Sequence, residues 1–214
     1  MTEEKLQKER ERLKEMHRYE EKYYPVTSLI GGIDEAGRGP LCGPVVAACV
    51  ILPKDAELLY LNDSKKLSEK RRESLFVEIK EKAVSWGVGL VGPERIDEIN
   101  ILNATYEAMR QALSQLNPPA DFVLVDAVHI PDIGTPQVGI VKGDAKSVSI
   151  AAASILAKVT RDHLMMSYDE KYPEYGFARH KGYGTAAHYE ALLKYGPSPI
   201  HRMTFLKNLE DHRK

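Results

Sequence analysis

Cysteine is nearly absent: Cys42 and Cys49 are the only two in 214 residues. Such a pair makes no disulfide framework and no Cys-rich zinc site, so reduced thiols in a cytoplasm are the expectation. No stretch approaches the ~18 uninterrupted apolar residues of a membrane span. The first two dozen residues are charged throughout, where a secretory signal needs an apolar core. Neither charge sign is in excess, since 30 Lys and Arg meet 31 Asp and Glu for a formal net charge of −1. That excludes a uniformly basic coat for nucleic acid and leaves room for local basic patches. Nucleotide-triphosphate loops, G-x-S-x-G elbows and H-E-x-x-H pairs are missing too, which removes the simplest P-loop, serine hydrolase and zinc peptidase readings. What remains is an ordinary folded composition, 43% hydrophobic and 29% charged, on a chain long enough to bury a full core.

Residues 3–22 mix both charge signs with few apolar side chains. They predict a solvated helix, joined to the body through Tyr23-Tyr24-Pro25 and docking only by Leu6, Leu13, Met16 and Tyr19. Two apolar, β-branched runs at 28–36 and 44–52 flank a Gly/Pro-rich connection and predict paired strands. Ser68, followed by Glu69, starts an amphipathic helix to residue 84. A third strand is expected over 86–92, and Pro93 opens a helix to about residue 116. FVLVDAV at 122–128 suits a buried central strand and QVGIV at 137–141 another. From Val148 to about Tyr168, small Ala and Ser side chains predict a helix that approaches the sheet closely, and shorter helices are expected over 184–195 and 203–211. Strands that lead as a hairpin-like block and then alternate with helices imply an α/β fold, a mixed five-stranded sheet flanked by helices. The expected division is a charged helical extension over 1–27 and one domain over 28–214.

The run GGIDEAGRGPLCGP at 31–44 places Asp34 and Glu35 at the end of an apolar strand, beside five glycines and Arg38. Gly37, Gly39 and Gly43 are spaced G-x-G-x-x-x-G and run into a strand, so spacing and context both fail the dinucleotide fingerprint. Such a turn either begins a plain surface loop or brings backbone N–H groups close to a bulky anion, with Arg38 alongside. Asp126 would be buried by its strand, and an unpaired buried carboxylate needs a metal, a cation or a cluster of donors. Asp144, in KGDAK, either caps the long helix or joins the other acids. Gathered at one end of the sheet, Asp34, Glu35, Asp126 and Asp144 would be an all-oxygen set suited to Mg²⁺ or Mn²⁺. Two such ions drive in-line phosphodiester hydrolysis. Because neighbours on a strand face opposite ways, Asp34 and Glu35 can share a site only where the strand ends or bulges.

Basic residues suggest the substrate. NDSKKLSEKRR at 62–72 carries five basic against two acidic side chains. It is either a solvated helix face or a helix start, at Asn62 to Lys65, that holds phosphate through N–H groups, the Ser64 hydroxyl and Lys65. Tyr183, between two glycines in the basic loop 179–185, either packs on the next helix or stacks on a sugar or base.

In order along the chain these segments resemble bacterial ribonuclease HII. The resemblance rests on GIDEAGRGPLCGPV at 32–45, NDSKKL at 62–67, LVD at 124–126, VKGDAKS at 141–147, AAASILAKVTRD at 151–162, HKGYGT at 180–185 and PIHR at 199–202. It implies a ribonuclease H-like fold and an endonuclease that hydrolyses the RNA strand of RNA–DNA hybrids. It also implies nicking 5′ of a ribonucleotide embedded in duplex DNA, leaving 3′-hydroxyl and 5′-phosphate ends. Carried over, Asp34, Glu35, Asp126 and Asp144 would be the metal-binding catalytic carboxylates, with Mg²⁺ or Mn²⁺ as cofactor. Gly37, Arg38 and Gly39 match the element that grips the ribonucleotide at its 2′-OH. Tyr183 matches the tyrosine that stacks on the next deoxyribose, and Ser64 and Lys65 match a D-S-K element whose lysine contacts phosphate. Arg38 stands where the sister ribonuclease HIII group usually has lysine. The implied partners are nucleic acids, and a monomer with no obligate protein partner is expected. Two other readings are a nuclease or strand-transfer protein of the same fold that cuts all-DNA duplex, and a non-catalytic binding module whose acids are structural.

Overall fold

The structure is a computed structural model and describes residues 2–209. Its sheet comprises β1 (Ile30–Ala36), β2 (Val45–Ile51), β3 (Ser85–Val91), β4 (Phe122–Asp126) and β5 (Gln137–Ile140), in the order β3-β2-β1-β4-β5. The first three strands pair antiparallel, and β4 and β5 continue the sheet parallel to β1. This is the mixed five-stranded sheet expected from the sequence.

The middle of the sheet is covered on both faces, which is why β2 is apolar without alternation and buried along its whole length. Val46, Ala48 and Val50 pack with α3 (Glu69–Lys82) and α5 (Val148–Lys171), while Val45, Ala47, Cys49 and Ile51 pack with α4 (Pro93–Ser114). Both cysteines are buried free thiols, Cys49 in this core and Cys42 outside it. The helix α5 lies very close to β1. A Cβ on Gly32 would stand 2.1 Å from the Ser149 carbonyl carbon, so the helix and strand backbones touch where a side chain would have separated them. The Ala- and Ser-rich composition of α5 serves the same approach.

Three expectations need correction. The segment 3–22 is not one helix but two, α1 (Glu3–Met16) and α2 (Arg18–Tyr23), which meet at His17. His17 is buried there with its ring 3.1 Å from the Ala56 carbonyl, and this contact to the body fixes the bend. Leu13 and Met16 dock as expected and Leu6 and Tyr19 are only half-buried, but Glu20, absent from the apolar stripe, is buried as well. The helix from Pro93 is broken at Asn100, whose φ is +66° and whose side chain accepts the N–H groups of Leu102 and Asn103, recapping the second half. The helix expected over 203–211 is a single 3₁₀ turn at Met203–Phe205, and residues 210 and 211 lie outside the described residues. The Asp97 carboxylate takes the N–H groups of Met203 and Thr204, and Arg202 is anchored in the core, so the chain is tied down at the point where a longer helix would begin.

Beyond α5, the short α6 (Phe177–His180) and α7 (Ala186–Tyr195) close a smaller apolar cluster around Leu41, Cys42, Met165, Tyr175 and Phe177. Of the two, α7 was expected from the sequence over 184–195, and in the structure its Thr185 cap accepts the His188 N–H. Among the described residues no helix is long and apolar enough to cross a membrane.

Gly32→Ala is expected to cost about 3 kcal/mol or more, because the new methyl meets the Ser149–Ile150 backbone rather than a movable side chain. Calorimetry should show a Tm lower by about 6–12 °C for a chain of this size, and an unchanged Tm would contradict the close packing.

Candidate active site

The parallel pairing of β1 and β4 stops at Ile33 opposite Val125. The next residues along each strand are Asp34 and Asp126, so the register itself brings two carboxylates together at the carboxyl ends of adjacent strands. The strand β1 does not end or bulge there, contrary to expectation. Its antiparallel pairing with β2 runs on through Asp34, Glu35 and Ala36. Glu35 shares the cleft because β4 has ended beside it, leaving open space along that edge of β1.

Asp34 is buried, accepts the Glu35 N–H at 2.7 Å and is hydrogen-bonded by Ser154 of α5. Burial first, and then the charges of Glu35 and Asp126, push its pKa well above the usual carboxylate range. Burial raises the pKa of Glu35 too, against the pull of Arg38 at 3.2 Å, and its Oε2 is buried with no partner among the described residues. Asp126 is half-buried rather than enclosed, since it is the last residue of β4. Its Oδ1 accepts the Gly143 N–H at 2.7 Å. Asp144 follows Gly143 in a 3₁₀ turn, Gly143–Ala145, and is raised by burial and by the charges of Asp63 and Asp126. It does not cap α5; Ser147 does, accepting the Ile150 N–H at 3.2 Å.

A cleft of about 260 Å³ opens over Asp34 and Glu35 and is also lined by residues 37–39, Ser64, Lys65 and Tyr183. Asp126 and Asp144 stand outside that lining but within electrostatic reach of it. The four acids offer oxygen donors only, repel one another and include an unpartnered buried oxygen on Glu35. That donor set fits a hard divalent cation.

The sequence reading of 62–65 changes in one respect. The Ser64 hydroxyl is turned inward, 3.0 Å from Ser154 Oγ, and the Lys65 N–H is taken by Asp63 at 3.0 Å. No helix start is free there to hold a phosphate, because 64–66 is a 3₁₀ turn capped by its own Asp63. Lys65 keeps an exposed side chain on the cleft.

The glycine turn is shaped by two arginines that sequence reasoning missed. Arg202 is fully buried and donates to the carbonyls of Gly37, Arg38, Pro40 and Gly43 at 2.6–3.0 Å. Arg161 donates to those of Cys42, Pro44 and Lys181. Burial and the neighbouring Arg161 lower the pKa of Arg202 to about 9, which leaves it charged at neutral pH. With its carbonyls drawn inward, the turn keeps the N–H groups of Arg38 and Gly39 without an acceptor among the described residues. Gly37, at φ +90°, has no room for a side chain, as a Cβ would meet Arg161 Nε at 2.1 Å. A Cβ on Gly39 would lie 3.8 Å from the Tyr183 ring, so that exposed ring faces the turn.

Two histidines hold Tyr183 in place. The Ser198 N–H donates to His201 Nδ1 at 2.9 Å, which puts the proton of that ring on Nε2. His201 Nε2 then donates to His188 Nε2 at 3.0 Å, and His188 Nδ1 to the Tyr183 carbonyl at 2.9 Å. Both rings must be neutral for this chain of bonds to exist. Arg161 and Arg202 sit in the segments AKVTRD and PIHR, but no spacing rule marks them as supports of a turn about 120 and 160 residues away.

The family model described as Ribonuclease HII matches residues 31–208. A ribonuclease HII from Lachnoclostridium phytofermentans is 61% identical over 206 residues, which is 96% of this chain and 81% of that protein. The chain belongs to the ribonuclease HII family. Among solved structures, the ribonuclease H2 of Pyrococcus horikoshii superposes with a TM-score of 0.71 at 30% identity, covering 86% of this chain and 99% of that one. The ribonuclease HII in the PCNA complex of Archaeoglobus fulgidus superposes with a TM-score of 0.67 at 30% identity, over 82% of this chain and 94% of that one. Ribonuclease HII is a metal-dependent endoribonuclease that cleaves the RNA of RNA–DNA hybrids and ribonucleotides in DNA.

The histidine pair makes stability depend on pH. Burial above all pulls both rings down from 6.5 to about 4. Between those values the unfolded chain binds protons that the folded rings refuse, so stability present at neutral pH is lost as pH falls from about 6.5 to about 4. The raised carboxylates oppose this, and the difference between parent and His188→Gln isolates the histidine contribution. Denaturant midpoints measured across that range should fall more steeply for the parent than for the variant; parallel curves would contradict the neutral pair.

Proposed function

We propose that the cleft over Asp34 and Glu35 is where this ribonuclease HII reads a ribonucleotide against the deoxyribonucleotide that follows it. It cuts on the 5′ side of the ribonucleotide and leaves 3′-hydroxyl and 5′-phosphate ends. The observation that carries the reading is that Arg38 and Gly39, whose N–H groups have no acceptor among the described residues, line one cleft with Tyr183, Asp34 and Glu35. Asp34, Glu35, Asp126 and Asp144 hold the divalent ions, with Mg²⁺ or Mn²⁺ the cations that such oxygen donors select. When bound, a pair of such ions supplies the charge stabilisation for in-line hydrolysis of a phosphodiester.

The other roles belong to the chain's own residues. Backbone N–H groups of the Gly37–Gly39 turn donate to the 2′-OH, the one group that marks RNA at a given sugar. A deoxyribose there would leave those donors unpaired, which is a strong basis for rejection. Tyr183 stacks on the next deoxyribose, where a 2′-OH would crowd the ring. Lys65 meets a phosphate, and Ser64 supports Ser154 and through it Asp34. Residues 1–27 form an extension to a catalytic domain over 28–214. The protein works in the cytoplasm as a monomer on nucleic acid, without an obligate protein partner.

The first experiment uses a labelled DNA duplex with one embedded ribonucleotide, incubated with Mg²⁺ or with EDTA. A single Mg²⁺-dependent nick 5′ of the ribonucleotide is expected. Cutting of the all-DNA duplex would favour another nuclease of this fold. Asp34→Asn should keep the fold and lose about 10³-fold or more in turnover, because the metal's charge stabilisation is worth several kcal/mol. Tyr183→Ala should lower cleavage at the single ribonucleotide by about 10- to 100-fold, the worth of one stacked aromatic, with Tm unchanged. Parent-like cleavage by Tyr183→Ala would remove the tyrosine from junction reading.

A further inference from the structure

One buried carboxylate takes no part in the chemistry above. Glu20, in α2, is 1% exposed. Its Oε1 accepts three hydrogen bonds from the start of α5: Ser147 Oγ at 2.5 Å, Ser149 Oγ at 2.6 Å and the Ser149 N–H at 3.1 Å. Its Oε2 is buried with no partner among the described residues. Burying a carboxylate is costly, and an apolar side chain would dock α2 at less cost. Its three donors all lie in the first turn of α5, where the helix dipole also favours a negative charge.

The bonds continue from there to the acids. The Ser147 N–H donates to the Gly143 carbonyl at 2.8 Å, and the Gly143 N–H donates to Asp126 Oδ1 at 2.7 Å. Asp144 is the next residue along the chain. Gly143 has no slack, as a Cβ there would stand 2.6 Å from Ile150 Cδ1 and 3.3 Å from Asp126 Oδ1. The turn carrying Asp144 is thus held between Asp126 on one side and Ser147 on the other, and Ser147 is held by Glu20.

We propose that Glu20 is a positioning residue for the divalent-ion site: through Ser147 and Ser149 it sets the Gly143–Ala145 turn, and with it the carboxylates of Asp126 and Asp144. The proposal rests on those carboxylates holding metal. It makes the N-terminal extension part of the metal site's support, although no residue of the extension lines the acid cleft.

Mn²⁺ binding to the full-length protein without substrate, followed by titration calorimetry, tests this. Glu20→Ala is expected to weaken Mn²⁺ binding by about tenfold, the lower range for groups that orient metal ligands. In cleavage assays its metal requirement should rise while kcat recovers at saturating metal. Leu13→Ala loosens the same extension at an apolar contact and should lower Tm without changing Mn²⁺ affinity. Parent-like affinity in Glu20→Ala, or equal weakening by Leu13→Ala at matched loss of Tm, overturns the proposal. Should Glu20→Ala fail to fold, Ser149→Ala removes a hydroxyl bond to Glu20 from the other side and leaves the Ser147 cap of α5 in place. It must weaken Mn²⁺ binding in the same direction, and parent-like binding there overturns the proposal. A parent that binds Mn²⁺ no better than Asp34→Asn would overturn the metal-site reading itself, an outcome distinct from an intact site indifferent to Glu20.

Discussion

The contact between α5 and β1 organises the rest of the molecule. Ser149 meets Gly32 backbone to backbone, Ser154 meets Asp34, and Arg161 meets Gly37. From Ser149 to Arg161 a helix advances ~18 Å, and from Gly32 to Gly37 a strand advances ~17 Å. The two elements therefore stay in step along the whole stretch that carries the chemistry. One helix supplies the anchor for the N-terminal extension, a hydrogen bond to a buried acid and a clamp on the glycine turn, at successive turns of the same rod. Gly32 and the small side chains of α5 make this possible by letting the backbones touch.

Like charges gathered in a dry place are the second constraint, and the molecule meets it in two ways. The acids at the ends of β1 and β4 are neither fully neutralised nor fully solvated. Arg38 offsets Glu35, Ser154 and Gly143 donate to Asp34 and Asp126, and the remaining repulsion leaves three of the four carboxyls harder to ionise. A cation of high charge density completes such a group. The two buried guanidinium groups are treated differently. Arg161 and Arg202 pair with no carboxylate among the described residues and are satisfied by carbonyl oxygens, seven of them between residues 37 and 181. Those carbonyls fix the backbone of the turn, whose Arg38 and Gly39 N–H groups have no acceptor among the described residues. A rigid donor pair beside a rigid acid cluster is what discrimination at a single sugar hydroxyl requires.

Much of this was legible in the chain. The β-branched runs, Pro93 and the cap at Ser68 marked the elements because each is a local effect on φ, ψ or an orphan N–H. The four acids stood out because carboxylates inside apolar strands or glycine turns are costly without a purpose. Asp144 could be read as a cap or a ligand, and only the sight of Ser147 on the Ile150 N–H separated the two. The Ser64 hydroxyl could be offered to phosphate only while its partner, Ser154, lay ninety residues away.

Composition and local pattern by themselves determined the α/β class, the strand and helix order, and which acids and which turn to suspect. These depend on interactions between residues a few positions apart. Tertiary structure alone decided that Asp34 and Asp126 are neighbours, because that follows from the register of two strands some ninety residues apart. It alone turned Arg161 and Arg202 into supports of the turn, made His188 and His201 a neutral pair behind Tyr183, and brought Glu20 to the first turn of α5. Arg161, Arg202 and Glu20 are buried polar groups with partners more than a hundred residues away in the chain, and the cost of burying them unpaired is what ties the distant segments together.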